Sequence, residues 1–295
     1  MKKSVFLSGL LILLLEMTGC QSLQNSSQTQ ASTGQVQSSS AENSSAAPSS
    51  EIAASSSAAV QSSSAISPVS SAVKIDQPQR TQQEVLKQTK AALKTKVPQM
   101  LPTNLPVEKG LYLAAVTASR AQSYKVDLYE VKQPAAINSK AASKGTLIAT
   151  VEGTAYQNAS SAKDSISGYE KADVSATDQI LDLGHKIKAV KDAGLGHQIL
   201  TWNEGRWCLR VDSPTDPTYK NKKYPDRDRL AKDVVAYLED HMLPAPHEIG
   251  VISIHDWGGN HVDSTTTVNL QQNKAVYSIT CTDPMVALKV AVAMR

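Results

Sequence analysis

The sequence predicts an α+β fold: a largely antiparallel sheet with packed helices, preceded by a disordered stalk. Strand-like segments occur in pairs joined by short turns, which is typical of hairpins. Groups of strands are each followed by an amphipathic helical segment, which suggests three strand-strand-strand-helix units. A long serine-rich stretch without aromatic residues precedes them and cannot supply a core. The folded part is therefore expected at 76–295.

The first residues have the pattern of an export signal. Two lysines open the chain, and Val5–Leu15 is an uncharged apolar run. This run is too short to span a bilayer, which takes about 20 residues, but it fits the apolar region of a signal peptide. The small residues Thr18 and Gly19 follow and lead directly into Cys20. One interpretation is an ordinary secretory signal in which Cys20 is incidental.

The segment Met17-Thr18-Gly19-Cys20 resembles the lipobox of bacterial lipoproteins. The resemblance, to surface lipoproteins of the Gram-positive type, implies removal of residues 1–19 and a diacylglycerol on Cys20. Two acyl chains are enough for stable anchoring. The mature protein is then expected on the outer face of the cell membrane, held there by its N-terminal lipid.

Residues 20–75 are predicted to form a disordered tether. The stretch after Cys20 contains 20 serines, with alanine and glutamine making up much of the remainder. Such a composition cannot bury enough apolar surface to offset the entropy of ordering. A flexible chain of this length spans roughly 40 Å on average. Whether the tether is glycosylated stays open.

Charge and cysteine content limit the classes of function. The net charge is +3 and no run rich in lysine or arginine occurs, so no strongly basic face and no nucleic-acid partner are expected. Cys208 and Cys281 are an even pair in an exported chain, which permits a disulfide. Their predicted positions on opposite faces of two hairpins do not favour one. No motif for a nucleotide, a metal or another cofactor is present.

The elements follow in order. Thr81–Val97 has the spacing of an amphipathic helix. The first unit is predicted to have strands near 111–116, 124–131 and 146–152 and a short helix near 161–170. The second unit begins with a strand near 184–190, and the third begins with the apolar run IGVISIHDW, predicted to be a central strand buried on both faces.

The clearest hairpin is HQILTWNEGRWCLRVD in the second unit. A turn at Glu204-Gly205 puts Trp202 opposite Trp207, with Leu200 and Leu209 on the same face. This pattern favours core packing over a sugar-stacking platform. A helix is predicted from Arg227 to Met242, capped by Asp226. Its first charged residues, 226–229, are interpreted as solvated, and His197 with Asp212 as a structural pair.

The third unit adds a second hairpin, turning near Gln272-Asn273, and a last helix capped by Asp283 with Pro284 at its first position. One face of the hairpin is predicted to be apolar. Its residues are Val268, Leu270, Tyr277, Ile279 and Cys281.

The best candidate for chemistry is HEIGVISIHDWGGNHVD, residues 247–263, where polar side chains surround a Gly258-Gly259 turn. Imidazole and carboxylate suit zinc or manganese, but the spacing contains no HExxH motif. A solvated loop or a non-metal binding loop are the alternatives, and no residue is assigned as catalytic. The candidate binding residues are His255, Asp256, Trp257, His261 and Asp263, and His247 begins the segment.

The sequence favours a binding or assembly module at the cell envelope, more readily than an enzyme. Its expected partner, besides the membrane, is a wall polymer, a peptide or another surface protein. A metal-dependent hydrolase using 247–263 is one alternative. A solute-binding lipoprotein of a transporter is the other, although hairpins are not typical of its two-lobed architecture.

Overall fold

The computed structural model describes residues 81–258 and 264–295, which form ten strands and four helices. The predicted signal, Cys20 and tether lie outside these residues. The strands are β1 (Tyr112–Arg120), β2 (Ser123–Val131), β3 (Thr146–Ala155), β4 (Ile180–Gly184), β5 (Ile187–Gly194), β6 (His197–Glu204), β7 (Trp207–Pro214), β8 (Gly250–His255), β9 (Thr265–Gln272) and β10 (Ala275–Cys281). The helices are α1 (Gln82–Ala92), α2 (Ala159–Asp164), α3 (Arg227–Asp240) and α4 (Pro284–Val292). No helix in these two ranges is long and apolar enough to cross a membrane.

All ten strands form one sheet in the order β1-β2-β3-β10-β9-β8-β7-β6-β5-β4. Every neighbouring pair is antiparallel except β7 and β8, which run parallel. Parallel neighbours need a crossover connection, and α3 supplies it between these two strands. The α+β class and the largely antiparallel sheet are therefore confirmed.

The two faces of the sheet are covered differently. Helices α1, α3 and α4 contribute to the main core on one face. On the other face α2 packs over a small cluster that includes Cys208 and Val251. Cys281 belongs to the main core, and both cysteines are buried and free, so no disulfide joins them.

The three predicted units of strands followed by a helix are present, and the second contains one more strand than predicted. The first and third units each have three strands and then a helix, whereas the second has four strands, β4 to β7. A hairpin of β4 and β5 replaces the single strand predicted near 184–190. Its turn places His185 and Lys186 at φ of 53° and 67°. Turns of this kind usually carry Asn-Gly, so the sequence gives little sign of it.

The tryptophan hairpin has a different register from the predicted one. Trp202 pairs with Leu209, and Glu204 pairs with Trp207, so the turn is Gly205-Arg206. The register has moved by two residues, and an even shift leaves each side chain on the same face. Trp202, Trp207 and Leu209 are accordingly all buried in the main core, as predicted. The indole N–H of Trp202 donates to Glu204 Oε1 at 2.8 Å.

The hairpin of β9 and β10 also has a register two residues away from the predicted one, with the same side chains on each face. Its turn lies at Asn273-Lys274, because Gln272 pairs with Ala275. The face predicted to be apolar is buried in the main core, which confirms its assignment.

Helices α1, α3 and α4 begin where predicted, and α2 begins two residues before the predicted 161. Thr81 caps α1 in a capping box, and Asp226 and Asp283 cap α3 and α4. Helix α1 ends at Ala92 rather than Val97, and α3 ends at Asp240. Met242, predicted as the last residue of this helix, lies beyond its end and is 84% exposed.

Candidate functional site

The candidate site lies where β7 and β8 end. Loops that leave parallel neighbours at their carboxyl ends emerge from the same edge of the sheet, and ligands of open sheets often bind there. Successive residues of a strand face opposite sides. The site therefore has two parts, a histidine cluster on one face and a polar cavity on the other.

The histidine cluster is built around Asp212, which is buried at the end of β7. His197 Nδ1 lies 2.8 Å from Asp212 Oδ1, and His255 Nδ1 lies 3.2 Å from Asp212 Oδ2. Because a carboxylate accepts hydrogen bonds, the His197 ring presents an N–H at Nδ1. One buried carboxylate thus orients two imidazoles from the neighbouring strands β6 and β8.

Trp257 extends this cluster into the loop after β8. Its ring centroid lies 5.0 Å from that of His197 and 6.4 Å from that of Tyr219. The indole N–H is buried and has no hydrogen-bond partner within the described ranges. Three aromatic rings from two loops and a strand therefore meet here, with one donor left unpaired.

The loops after β7 and β8 are held together at Gly258. Its N–H donates to the carbonyl of Tyr219 at 2.7 Å. A Cβ at Gly258 would lie only 2.6 Å from Asn221 Cα, so this approach requires glycine. The Asn221 amide also donates to Ser264 Oγ at 2.7 Å, and Ser264 donates to the carbonyl of Trp257. These contacts fix the loop after β7, which contributes Lys220 and Asn221 to the cavity described next.

The polar cavity has a volume of about 380 Å³ and lies beside the start of α3. Amide, hydroxyl, carboxyl and basic side chains form most of its surface. Its lining residues are Gln198, Ser213, Lys220, Asn221, Tyr224, Pro225, Asp226, Arg227, Asp228 and Asp256. The volume falls within the range of small-molecule sites, roughly 300–1,000 Å³, and the lining is more polar than is usual for them.

Asp256 is the most unusual group in the cavity. It is 1% exposed, and its Oδ1 atom accepts no hydrogen bond from any described residue. Burial raises the pKa of this carboxyl to about 6, while a hydrogen bond with Asn221 opposes the shift and the charge of Asp283 adds to it. An unpaired buried carboxylate is costly to the fold, which is typical of groups retained for function.

The remaining charges of the cavity are mostly occupied. The Arg227 guanidinium donates to Asp228 Oδ1 from Nη2 at 2.6 Å and from Nε at 2.9 Å. Asp226 accepts the N–H of Arg229 as the cap of α3. Lys220 has no ion-pair partner in 81–258 or 264–295. Lys220 and Asp256 are therefore the charges left for a ligand.

The structure divides the predicted candidate residues. His255 and Trp257 belong to the histidine cluster, whereas Asp256 lines the cavity on the other face. His261 and Asp263 lie outside the described residues. His247 precedes β8 at the end of the strand opposite His255, so these two histidines do not converge. The part of the chain that the structure describes holds no group of three histidine, cysteine or acidic residues able to bind a metal.

The sequence predicted one contact of this site, the His197–Asp212 pair, but not the polar cavity. The predicted His197–Asp212 pair is confirmed as a contact. The charged start of α3 was interpreted as solvated, and Asp226 and Arg229 are exposed. The same segment also contributes Asp226, Arg227 and Asp228 to the cavity, which the sequence did not predict. The N-cap at Asp226 shows in the sequence where α3 begins. Which residues lie beside that start cannot be read from it, because they are set by α3 connecting the parallel strands β7 and β8.

Comparisons of the chain with protein-family models, with curated proteins and with solved structures found no match.

Proposed function

We propose that this protein is a lipid-anchored binding module outside the cell membrane, and that its polar cavity holds a hydroxyl-rich segment of a wall polymer. The observation that carries the proposal is the unpaired, buried Oδ1 of Asp256 in the cavity wall. A buried acceptor without a partner costs free energy that a donating ligand recovers. The cavity therefore favours a ligand with at least one hydroxyl or amine donor.

The chemistry of the lining favours saccharide over other ligands. Saccharide hydroxyls both donate and accept, and the cavity offers the acceptor Asp256 and the donor Lys220. An apolar ligand finds little matching surface there. A strongly charged ligand meets mostly charges that are already paired, such as Arg227 with Asp228.

The alternatives from the sequence have weaker support. A metal-dependent hydrolase needs converging ligands, and His247 and His255 lie at opposite ends of β8. A two-lobed solute-binding protein fits poorly with one continuous ten-stranded sheet over the described ranges. A binding module requires only a cavity with matching polar groups, and the cavity beside α3 supplies them.

The proposal is tested by calorimetric titration of the full chain in detergent with soluble fragments of wall glycan. Hydrogen bonds to charged groups contribute about 1.5–3 kcal/mol, so Asp256→Asn is expected to weaken binding roughly 10- to 100-fold. Lys220→Gln is expected to weaken it in the same direction. Asp240→Asn, an exposed carboxyl at the end of α3, is the matched control and keeps full affinity. Equal affinity of the Asp256→Asn and control variants would disprove the assignment.

A further inference from the structure

A second surface lies at α1, the first described element of the chain. We call it the basic groove, and it has a volume of about 470 Å³. Its apolar floor comes from Leu86, Leu101 and Pro102, and its basic side chains are Lys87, Lys90 and Arg295. No acidic side chain lines it. It shares no lining residue with the polar cavity.

The walls of the basic groove are fixed by the fold. Val85 and Leu86 bury one side of α1 in the main core, which leaves Lys87 and Lys90, three residues apart, on the solvent side. The facing wall is a backbone pair, in which Leu101 and Arg295 exchange N–H to carbonyl hydrogen bonds of 3.2 and 3.1 Å. The two lysines therefore flank a groove of fixed shape.

The two lysines of this groove are available to a ligand, whereas Arg295 donates to the carbonyls of Val292 and Met294. Lys87 and Lys90 are exposed, and neither forms an ion pair within the described ranges. Residues 81–150, which include both lysines, contain ten basic and four acidic residues, a net charge of +6. Residues 151–295 contain sixteen basic and nineteen acidic residues, a net charge of −3.

We propose that the basic groove docks the folded part of the chain on a membrane surface that carries anionic phosphate headgroups. Lysine ammonium groups are compact cations suited to phosphate, and each basic residue at an anionic membrane surface strengthens attachment several-fold. The position along the chain favours a membrane, because α1 follows directly on residues 1–80, which carry the predicted anchor at Cys20. The groove provides electrostatic attachment in addition to any lipid.

The inference goes beyond ligand binding at the cavity, and its test does not depend on acylation. The full chain carrying Cys20→Ser is mixed with vesicles of phosphatidylcholine alone or of phosphatidylcholine with phosphatidylglycerol, and bound protein is measured by sedimentation. The apolar N-terminal run is common to all variants, so its contribution cancels between them. We expect binding that is stronger to the vesicles with phosphatidylglycerol, and we expect added salt to remove this difference.

Two variants of equal charge change distinguish the groove from general attraction. Lys87→Gln with Lys90→Gln is expected to lower binding to the anionic vesicles roughly 10- to 30-fold. Lys188→Gln with Lys232→Gln, exposed lysines of the half with net negative charge, is the control and retains binding. Equal losses in the two variants overturn the proposal, as does the absence of binding to anionic vesicles.

A soluble glycerol-phosphate polymer, titrated into the same chain, separates the two sources of phosphate. Binding of the polymer without binding of vesicles assigns the groove to a wall polymer and overturns membrane docking. Vesicle binding that depends on Lys87 and Lys90 supports it, whatever the wall-glycan titrations of the cavity show.

Discussion

The buried carboxyl of Asp256, whose Oδ1 accepts no hydrogen bond from a described residue, predicts a pH-dependent penalty on the stability of the fold. Burial raises its pKa from the ordinary 3.8 to about 6, so the folded chain binds this proton more tightly than the unfolded chain does. The stabilisation that accompanies the proton is complete below about pH 3.8 and is lost as the pH rises through about 6. Each pKa unit corresponds to about 1.4 kcal/mol, which gives an upper estimate of about 3 kcal/mol lost at pH 8.

The variant Asp256→Asn keeps the shape of the side chain and removes its charge. We expect it to be more stable than the natural chain by about 1–3 kcal/mol at pH 8, the lower value allowing for an amide donor left without a partner. Near pH 4 the difference is expected to shrink towards zero, since the aspartate is then protonated in the folded chain.

Urea unfolding of both full chains at several pH values measures this difference. Groups other than residue 256 titrate in both chains and largely cancel in the comparison. With a dependence of about 2 kcal/mol per molar urea, the midpoint at pH 8 is expected to rise by about 1 M. A variant that is less stable at pH 8, or a difference independent of pH, would refute the assignment of Asp256 as an unpaired buried acid. A gain in stability with a loss of glycan binding would show a residue retained for function rather than for folding.

Two further predictions concern the core and the anchor. Trp202→Ala is expected to lower the free energy of unfolding by about 3–5 kcal/mol, because Trp202 is fully buried among core residues. The control Met242→Ala, at an exposed position, should change it by less than about 0.5 kcal/mol. Denaturant unfolding compares the two variants, and a small loss for Trp202→Ala would contradict the core assignment. Cys20→Ser is expected to abolish lipid attachment, as read by mass spectrometry of the mature N-terminus, and an unmodified N-terminus downstream of Cys20 in the natural chain would disprove the lipobox interpretation.

Local patterns in the sequence were enough to predict most elements of the sheet and the starts of three helices. Alternation along a strand fixes which side chains share a face. The predicted burial of Trp202 and Leu209 is therefore correct although the predicted register is wrong by two residues. Caps are equally local, because Thr81, Asp226 and Asp283 each bond to backbone within three residues. The hairpin of β4 and β5 was missed because its turn uses His185 and Lys186 where glycine or asparagine is usual.

The candidate site depended on which strands are neighbours, and no local pattern specifies that. The sequence placed His197 near Asp212, since both belong to one hairpin, but the contact from His255 follows from the parallel pairing of β7 and β8, whose residues are more than 40 positions apart along the chain. The same pairing brings the start of α3 against Asp256 to form the cavity. Side-chain chemistry and periodicity act over a few residues and were readable from the sequence. The unpaired state of Asp256 is a property of everything packed around it, so only the tertiary structure could decide it.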